Sequence, residues 1–418
     1  MSPHPPSRPT PTARAALLAA MLTLAACGGG GGSGAGGALV GAPAPGGVGA
    51  GGAGGSGGTG GSTGGGTGGG SGGTGSGSEA TPPPAATGVR ATPVAGAAYA
   101  DTVQGSFADG AGAAARFFRI DRFVVDPAGN IYASDAGNCA IRKIAPDGLV
   151  STLAGSGGRC GFADGRGAEA RFQSLRGMAR DAAGNLYVGD GAAVRKITPD
   201  GVVSTLAGNG EASDRVDGSG AAARFWKVQG LDLAPDGSLL VSDGPFNAAN
   251  RDYLVCGPIS NALRTVTLQG AVTTVPGTTL LDCAGTPAPL TLAADLRYGA
   301  GGTLYLFHGT LLARQRPGAA AELVTDAAGK PLSETSYNGN RDMRVAPDDA
   351  GNLYYMANNT VYKVAPDGAR TIVLSEAADA PAQSRPDLPV GTMAGLTWIG
   401  NHTFLASFDN RVVRVTLP

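Results

Sequence analysis

Histidine, clustered charge and long apolar runs are all scarce in this chain of 418 residues. It contains three histidines, carries a formal net charge of -1 and has no basic run beyond its first residues. Nucleic acid and anionic lipid headgroups attract clustered Lys and Arg, so neither is expected to be the main partner. Outside the glycine-rich tract there is no Gly-x-Ser-x-Gly nucleophile elbow, and a P-loop is absent. The sequence therefore predicts no catalytic residue.

The first residues are typical of an export signal. Arg8 and Arg14 supply positive charge, and residues 15–26 form an apolar stretch that is too short to span a bilayer. The stretch ends in Leu-Ala-Ala-Cys, which resembles the bacterial lipobox. That resemblance implies a signal peptide over residues 1–26, acylation of Cys27 and a mature chain that begins there. An ordinary signal peptide followed by a chance cysteine is the alternative.

The residues after Cys27 predict a flexible tether and a cellular location. Residues 28–78 are almost entirely Gly, Ser, Thr and Ala, which bury too little apolar surface to fold, so residues 27–87 are expected to form a disordered linker. About 50 residues of Gly-rich coil have a root-mean-square reach of roughly 35 to 45 Å. By the same resemblance, Gly28 is not the aspartate that retains lipoproteins at the inner membrane. We expect an exported, lipid-anchored protein, at the outer membrane or in the periplasm if the host is Gram-negative.

A long unit recurs in the rest of the chain. Its two fullest copies begin at Phe123 and Met178, and both contain GN-x-Y, a later RKI-x-PDG and the ending VSTLAG. Each copy has four short β-branched and apolar runs, separated by Gly-Asn and Asp-Gly turns that are typical of hairpins. Equivalent positions follow at intervals of 55, 53, 65, 49 and 50 residues, and they are Asn130, Asn185, Ser238, Thr303, Asn352 and His402.

A period near 50 residues with four strands apiece predicts an all-β, six-bladed β-propeller of antiparallel blades. The last copy stops after three strands, and residues 88–96 match the VSTLAG strand that ends other units. The N-terminal strand should therefore complete the sixth blade and remove the exposed edges. The units resemble NHL-repeat β-propellers over residues 88–418.

A second phrase occurs three times between blades, at residues 107–118, 162–173 and 215–227, and reads FADGAGAAARFF in its first copy. We interpret it as the connection from one blade to the next. Its phenylalanines should fill the seams between sheets, and its arginines and aspartates could pair with each other. A ring of Ca²⁺-binding aspartates is the alternative. The residues concerned are Phe117, Phe172, Phe225, Arg116, Arg171, Arg224, Asp109, Asp164 and Asp217.

Four cysteines remain in the exported domain once Cys27 is assigned to lipid. In propeller topology, Cys139 and Cys256 lie between second and third strands, while Cys160 and Cys283 lie in the connections that follow. Both loop types emerge on one face. We predict the disulfides Cys139–Cys160 and Cys256–Cys283, with free buried thiols as the alternative.

Two groups of residues are candidate sites. The ends of the second strands carry Asp135, Asp190, Asp243, His308, Ala357 and Ser407. The aspartates are interpreted as turn caps, and with His308 they are weak metal candidates, for Ca²⁺ if any ion binds. The starts of the innermost strands carry the candidate ligand-binding residues Arg122, Arg176, Asp295, Arg341 and Asp342. These mixed charges could hold a polar or carboxylated ligand, or could form a ring of ion pairs.

The resemblance implies a binding or scaffold module that recognises a protein, peptide or glycan of the cell envelope through one face. We expect a monomer, with no nucleic acid partner and membrane contact through the lipid alone. The alternative is a metal-dependent hydrolase or lyase, lactonase-like, with its site at the channel mouth. Lyases that resemble NHL proteins hold zinc with several histidines, whereas this chain has only His308 and His402 after the signal.

Overall fold

The computed structural model describes residues 87–97, 106–211, 215–244, 262–276, 293–308, 311–319, 321–332, 343–357, 359–375, 393–408 and 410–418. None of the helices within these ranges has the length and hydropathy that a membrane crossing requires. The helices are single 3₁₀ turns, and the rest of the regular structure consists of strands, so the all-β prediction is confirmed.

The strands are short and follow the repeat. β1 (Arg90–Ala95) comes first. The strands of blade 1 are β2 (Gly110–Ala111), β3 (Ile120–Val125), β4 (Ile131–Asp135), β5 (Ala140–Ile144) and β6 (Leu149–Gly155). Those of blade 2 are β7 (Gly165–Arg166), β8 (Leu175–Arg180), β9 (Leu186–Asp190), β10 (Ala192–Ile197) and β11 (Val202–Gly210). Those of blade 3 are β12 (Gly218–Ser219), β13 (Val228–Leu233), β14 (Leu239–Asp243), β15 (Ala262–Val266) and β16 (Ala271–Thr274).

The second half continues the pattern. Blade 4 contains β17 (Ala293–Tyr298), β18 (Leu304–His308), β19 (Leu311–Gln315) and β20 (Glu322–Leu323). Blade 5 contains β21 (Arg344–Pro347), β22 (Leu353–Ala357), β23 (Thr360–Val364) and β24 (Arg370–Ser375). Blade 6 contains β25 (Met393–Gly400), β26 (Thr403–Phe408) and β27 (Arg411–Thr416).

The described strands form six antiparallel sheets, which confirms the six-bladed propeller. Ring closure is also confirmed. The sixth sheet has the order β1-β27-β26-β25, and Arg90 of β1 lies opposite Thr416 of β27. The first described strand thus pairs with the last one and covers the edge that β27 would otherwise expose.

The connecting phrase does more than join blades. In blades 1 to 3 it contributes a fifth, two-residue strand, because β2, β7 and β12 pair with the outer strands β6, β11 and β16. The 3₁₀ turn after each short strand lies against the outer strand of the preceding blade, as the bond from the Gly96 amide to the Gly112 carbonyl shows for blades 6 and 1. The phrase therefore holds the outer rim of the seams that precede blades 1, 2 and 3.

The core lies in the seams between neighbouring blades. Phe117, Phe172 and Phe225 are fully buried, as predicted. Phe117 packs in one cluster with Leu405 and Val412 of blade 6 as well as with residues of blade 1. Apolar burial at roughly 25 cal/mol per Å² is the main favourable term here. Blades consequently stabilise one another and are not independent units.

Candidate functional site

Propeller topology divides the loops between two faces. First and third strands begin, and second and fourth strands end, at what we call the braced face; the other hairpin turns lie at the opposite face. On the braced face, Cys139 and Cys160 form a disulfide with a Cα–Cα distance of 5.3 Å, which confirms that prediction. Cys256, Cys283 and Cys27 lie outside the described residues. The disulfide ties the β4–β5 loop to the connection between blades 1 and 2.

A buried arginine on the third strand organises the braced face of blade 1. Arg142 Nη1 donates to Asp135 Oδ2 at 2.9 Å and to the Arg116 carbonyl at 2.9 Å. Its Nη2 donates to Asp109 Oδ1 and to the Ala108 carbonyl, both at 2.7 Å. The guanidinium also lies 4.4 Å from the centroid of the Phe107 ring. We call this set of Asp109, Asp135 and Arg142, together with its phenylalanines, the arginine cassette.

The cassette recurs in blades 2 and 3. Arg195 joins Asp164 and Asp190, and Arg264 joins Asp217 and Asp243. All three arginines are fully buried, and each is paired on both sides. Asp109, Asp164 and Asp217 also accept bonds from the backbone and hydroxyl of Thr152, Thr205 and Thr274 on the fourth strands. The Arg of the recurring RKI sequence and the Thr of the recurring VSTLAG sequence are therefore both part of the cassette.

The predicted ion pairs within the connecting phrase are wrong. Arg116 donates to the carbonyls of Ala113, Ala114 and Ala115 on its own turn, whereas Asp109 pairs with Arg142. Arg171 and Arg224 likewise bond to carbonyls of their own turns. The fixed arginine from strand three reaches the aspartate at 2.7 Å, and the half-buried arginine of the phrase closes its own 3₁₀ turn instead.

The aspartates at the ends of the second strands are saturated with donors. Besides Arg142, Asp135 accepts bonds from the Phe118 amide at 2.8 Å and from Asn138 Nδ2 at 2.9 Å. Burial raises the pKa of Asp135 to about 6, and burial raises the pKa of Asp190 and Asp243 as well. A cation at any of these carboxylates would have to displace a buried arginine.

The other second-strand positions differ. The side chain of His308 lies outside the described part of the chain. In blade 6 the pairing of Met393 with Phe408 matches that of Ile120 with Asp135, so the position expected at Ser407 is taken by Phe408. Ser407 Oγ instead accepts the Gly395 amide at 2.6 Å, as Ser134 Oγ does for Arg122. Within the described ranges, no group of three or more His, Cys, Asp or Glu could hold a metal ion.

The central channel is crossed by ion pairs. Arg122 of blade 1 reaches Asp295 of blade 4, three blades away, and binds it in a bidentate manner at 3.0 and 2.5 Å. Both residues are about 1% exposed. Asp295 also accepts the Val345 amide of blade 5 at 3.0 Å. Burial and the neighbouring Arg344 lower the pKa of Arg122 to about 10, although Asp295 opposes the shift.

Arginines are in excess around Asp121, at the braced end of the channel. Arg344 Nη2 lies 2.6 Å from Asp121 Oδ1, and Arg176 Nη1 lies 4.0 Å from the same oxygen. Burial would raise the pKa of Asp121, but Arg344, Arg176, Arg122 and Arg119 lower it to about 2. Among the described residues, Asp121 Oδ2 has no hydrogen-bond partner, although it is buried. The carboxylate is thus held ionised by a positive surrounding.

Glycines allow neighbouring inner strands to pack closely around the channel. The inner-strand position of Arg122 is occupied by Gly177 in blade 2, Gly230 in blade 3 and Gly395 in blade 6. A Cβ on Gly395 would lie 2.8 Å from the Phe123 ring, closer than real contacts allow. In blade 5 the same position carries Arg344.

The candidate ligand-binding residues are partly brought together. Arg122 and Asp295 bind each other, and Arg176 lies beside Asp121. Arg341 and Asp342 lie outside the described residues. Sequence reasoning missed Arg344 and Arg119. The spacing in front of the GN-x-Y turn contained the signal for Arg344, because Arg122 and Arg344 lie eight residues before Asn130 and Asn352.

No protein-family model and no curated protein matches the chain. Among solved structures, the chain is similar to an auxiliary nutrient binding protein from Bacteroides thetaiotaomicron, with a TM-score of 0.52 and 11% identity over 79% of this chain and 76% of that one. A protein of unknown function from the same organism has a TM-score of 0.50 and 12% identity, over 78% and 76% of the two chains. A gluconolactonase from Xanthomonas campestris has a TM-score of 0.48 and 16% identity, over 72% and 87%. At these identities the likeness shows the propeller fold alone.

Proposed function

We propose that the chain is a lipid-anchored NHL-type propeller outside the cytoplasmic membrane that binds an acidic protein, peptide or glycan of the cell envelope. In this proposal residues 1–26 are a removed signal, residues 27–87 are a lipidated tether, and residues 88–418 are the binding domain, which acts as a monomer. The lipobox-like sequence ending at Cys27 and the glycine-rich tract after it support the anchor. The recurring GN-x-Y and PDG-x-VSTLAG sequences support the NHL type.

The observation that carries the proposal is the cluster of four arginines around Asp121. Arg119, Arg122, Arg176 and Arg344 all act on this carboxylate, and Arg122 is already bound by Asp295. The described residues therefore bring four guanidinium groups to the mouth, where Asp295 binds Arg122 and Asp121 binds Arg344. Guanidinium groups bind carboxylates and other oxyanions in a fork geometry that lysine does not offer. An acidic ligand therefore suits this arginine-rich mouth.

Two of the four arginines are accessible to such a ligand. Arg119 is exposed, and the Arg176 side chain is 13% exposed, whereas Arg122 and Arg344 are buried beneath them. Binding sites are commonly formed by loops held on a rigid scaffold. Here the cassettes and the Cys139–Cys160 disulfide hold the loops around the mouth.

Charge reversal at the two accessible arginines tests this proposal. We expect the full chain to bind an Asp-rich hexapeptide or a uronic-acid oligosaccharide more tightly than uncharged counterparts, by titration calorimetry at low salt. Arg119→Glu/Arg176→Glu should weaken that binding at least about tenfold, since a desolvated charge contact contributes more than about 1.4 kcal/mol. Arg166→Glu is the matched control, because Arg166 is exposed on the outer rim. Equal binding of acidic and neutral probes, or an unaffected double variant, would overturn the proposal.

The anchor has its own test. Cys27→Ser should release the full chain from the membrane fraction, and mass spectrometry of the mature wild-type chain should find an acylated Cys27 at its N-terminus. Unchanged membrane association in the variant would contradict the lipid anchor without affecting the binding test.

The described residues do not fit the lactonase-like alternative. A divalent metal in the channel needs several free oxygen or nitrogen ligands. Asp295 is bound by Arg122, Asp121 is bound by Arg344, and the three cassette aspartates are bound by theirs. Elemental analysis after dialysis checks this point and the Ca²⁺ expectation: about one retained divalent ion per chain would favour the metal-dependent alternative.

A further inference from the structure

A second concave surface lies on the opposite face, between blades 5 and 6. The cavity has a volume of about 470 Å³, which is within the range of small-molecule sites. Its apolar part is formed by the aromatic and aliphatic side chains Tyr354, Val373, Trp398 and Leu417. Its polar part is formed by the amides, charged groups and hydroxyl of Asp348, Asp349, Asn352, Lys363, Thr371, Asn401 and His402. We call it the seam groove.

An aromatic pair forms the inner wall of the seam groove. The rings of Tyr354 and Trp398 stack with centroids 5.2 Å apart and planes 8° from parallel. Tyr354 is fully buried, and its hydroxyl bonds to Asp348, which with burial raises the pKa of the tyrosine. Trp398 is partly exposed, whereas its indole Nε1 is buried and has no hydrogen-bond partner within the described part of the chain. The wall therefore presents a fixed aromatic surface.

The rim of the groove is held by a tight turn in blade 6. Asn401 and His402 have φ values of 48° and 54°, the left-handed pair that a two-residue hairpin turn of type I′ requires. The corresponding turn of blade 5 is one residue longer, because Asp348 bonds to Asn352 across three residues. The His402 carbonyl accepts the Leu417 amide at 2.7 Å, so the histidine is kept beside the groove.

Both signs of charge line the seam groove, with the carboxylates of Asp348 and Asp349 and the ammonium group of Lys363. The Asp348 carboxylate accepts hydrogen bonds from the amides of Ala350 and Asn352, from Asn352 Nδ2 and from the Tyr354 hydroxyl. Asp349 is exposed, and Lys363 lies on the third strand of the same blade, paired with Tyr354. A groove with both signs of charge, amides and a hydroxyl suits a neutral ligand that both donates and accepts hydrogen bonds.

We propose that the seam groove binds a neutral saccharide. A sugar ring has an apolar C–H face, which packs on an aromatic side chain, and an edge of hydroxyl groups, which donate and accept at the same time. In this site the ring lies against Trp398, and its hydroxyls bond to Asn352, Lys363 and Asn401. The site is separate from the arginine-rich mouth and does not depend on the proposed function.

Tryptophan fluorescence of the full chain tests the proposal. The chain has two tryptophans, and Trp226→Phe leaves Trp398 as the remaining reporter. We expect maltotriose or N,N′-diacetylchitobiose to change the emission saturably in this variant. Lys363→Ala and Asn401→Gly should each weaken the interaction at least about threefold, which corresponds to about one hydrogen bond. Because Asn401 has a left-handed φ, Asn401→Gly preserves the turn.

Controls separate binding from folding. Trp398→Leu retains an apolar side chain, and its urea midpoint shows whether the domain is intact; calorimetry should then find no saccharide binding. Arg119→Glu/Arg176→Glu should bind saccharides like the wild type, since those arginines lie at the other face. A saturable signal from an acidic hexapeptide or from the proline-containing peptide Pro-Pro-Ala-Ala-Thr, with none from either saccharide, would overturn the proposal. So would saccharide binding that survives in Trp398→Leu.

Discussion

Blades 1 to 3 and blades 4 to 6 fill the same third-strand position with different chemistry. Arg142, Arg195 and Arg264 hold it in the first half, each between two carboxylates. The strand registers place Ala313, Tyr362 and Val413 there in the second half. In blade 5 the position is aromatic, and the arginine lies on the neighbouring strand instead. The Tyr362 ring stacks on Tyr355 with centroids 5.0 Å apart, and the Arg370 guanidinium lies 3.8 Å from the centroid of the Tyr362 ring.

This difference between the two halves indicates the role of the repeated cassette residues. Buried ion pairs lose much of their Coulomb energy to desolvation, so they add little net stability compared with apolar packing. They nevertheless impose strict geometry, since a buried arginine without its carboxylates is costly. We infer that the cassettes specify how each connecting phrase docks on its blade. Blades 4 to 6 obtain packing from aromatic and aliphatic contacts, which tolerate more sequence change.

Removal of one cassette arginine should give the largest difference in stability between the two halves of the ring. Arg142→Met leaves Asp135 buried without its cation, and we expect a loss of about 3 to 5 kcal/mol in the free energy of unfolding. Tyr362→Phe at the same position of blade 5 should cost less than about 1.5 kcal/mol. Urea denaturation of the full chain measures both.

A second change distinguishes the cause. Arg142→Met/Asp135→Asn removes the stranded charge, so it should be more stable than Arg142→Met alone. If the double variant is instead less stable by the sum of the two single effects, the carboxylate is not the source of the penalty and the cassette account is wrong.

The disulfide should have the next largest effect. Cys139→Ser/Cys160→Ser opens a loop of 21 residues of separation, for which the chain-entropy model gives about 3 kcal/mol. The comparison with dithiothreitol-treated wild type is informative, because reduction also acts on Cys256 and Cys283. A further loss on reducing the double variant is expected if the second predicted disulfide exists, and identical midpoints would contradict it.

Acid should act oppositely on the cassette and the channel. The pKa of Asp121 is lowered to about 2 from 3.8, so the stability it contributes is present above pH 3.8 and is lost as pH falls towards 2. The pKa of Asp135 is raised to about 6, so its contribution grows as pH falls from 6 to 3.8 and is lost as pH rises again. Asp121→Asn should flatten the stability profile below pH 4, and Asp135→Asn should flatten it between pH 4 and 6. Profiles unchanged by both substitutions would refute these assignments.

The smallest effects separate the two arginines near Asp109. Asp109→Asn weakens its contacts with Arg142 and Thr152 and should cost about 1 kcal/mol, because the carboxylate is half exposed. Arg116→Ala should stay within about 0.5 kcal/mol, like other surface changes. Equal losses from the two variants would restore the direct Asp109–Arg116 pair that the sequence suggested.

The sequence predicted most of the architecture and less of the sites. Repeat spacing was enough for six blades, for closure by residues 88–96 and for the topological argument that pairs Cys139 with Cys160. Repeat spacing could not reveal that Asp109 pairs with Arg142. Each connecting phrase contains an arginine that is nearer in sequence, and which arginine pairs with the aspartate depends on which arginine side chain is already buried. Ser407 was predicted at the position that Phe408 occupies. The cause is an offset of one residue along the strand, which turns every side chain to the other face.

The channel partners were beyond sequence reasoning for another reason. Arg122 meets Asp295 at a separation of 173 residues, and Arg344 meets Asp121 at 223. Such pairs depend on how far each long side chain reaches across the ring, where glycines replace neighbours. No local pattern encodes that distance.

Ring closure also has a mechanical consequence. β1 runs antiparallel to β27, with Arg90 at the Thr416 end and Ala95 at the Val412 end. A pull on the chain ahead of β1, directed away from the opposite face, acts along the strand axis. The hydrogen bonds to β27 then carry the load together, in shear, and do not open one after another like a zipper. The first strand is thus placed where the fold best resists being drawn out by its own leading segment.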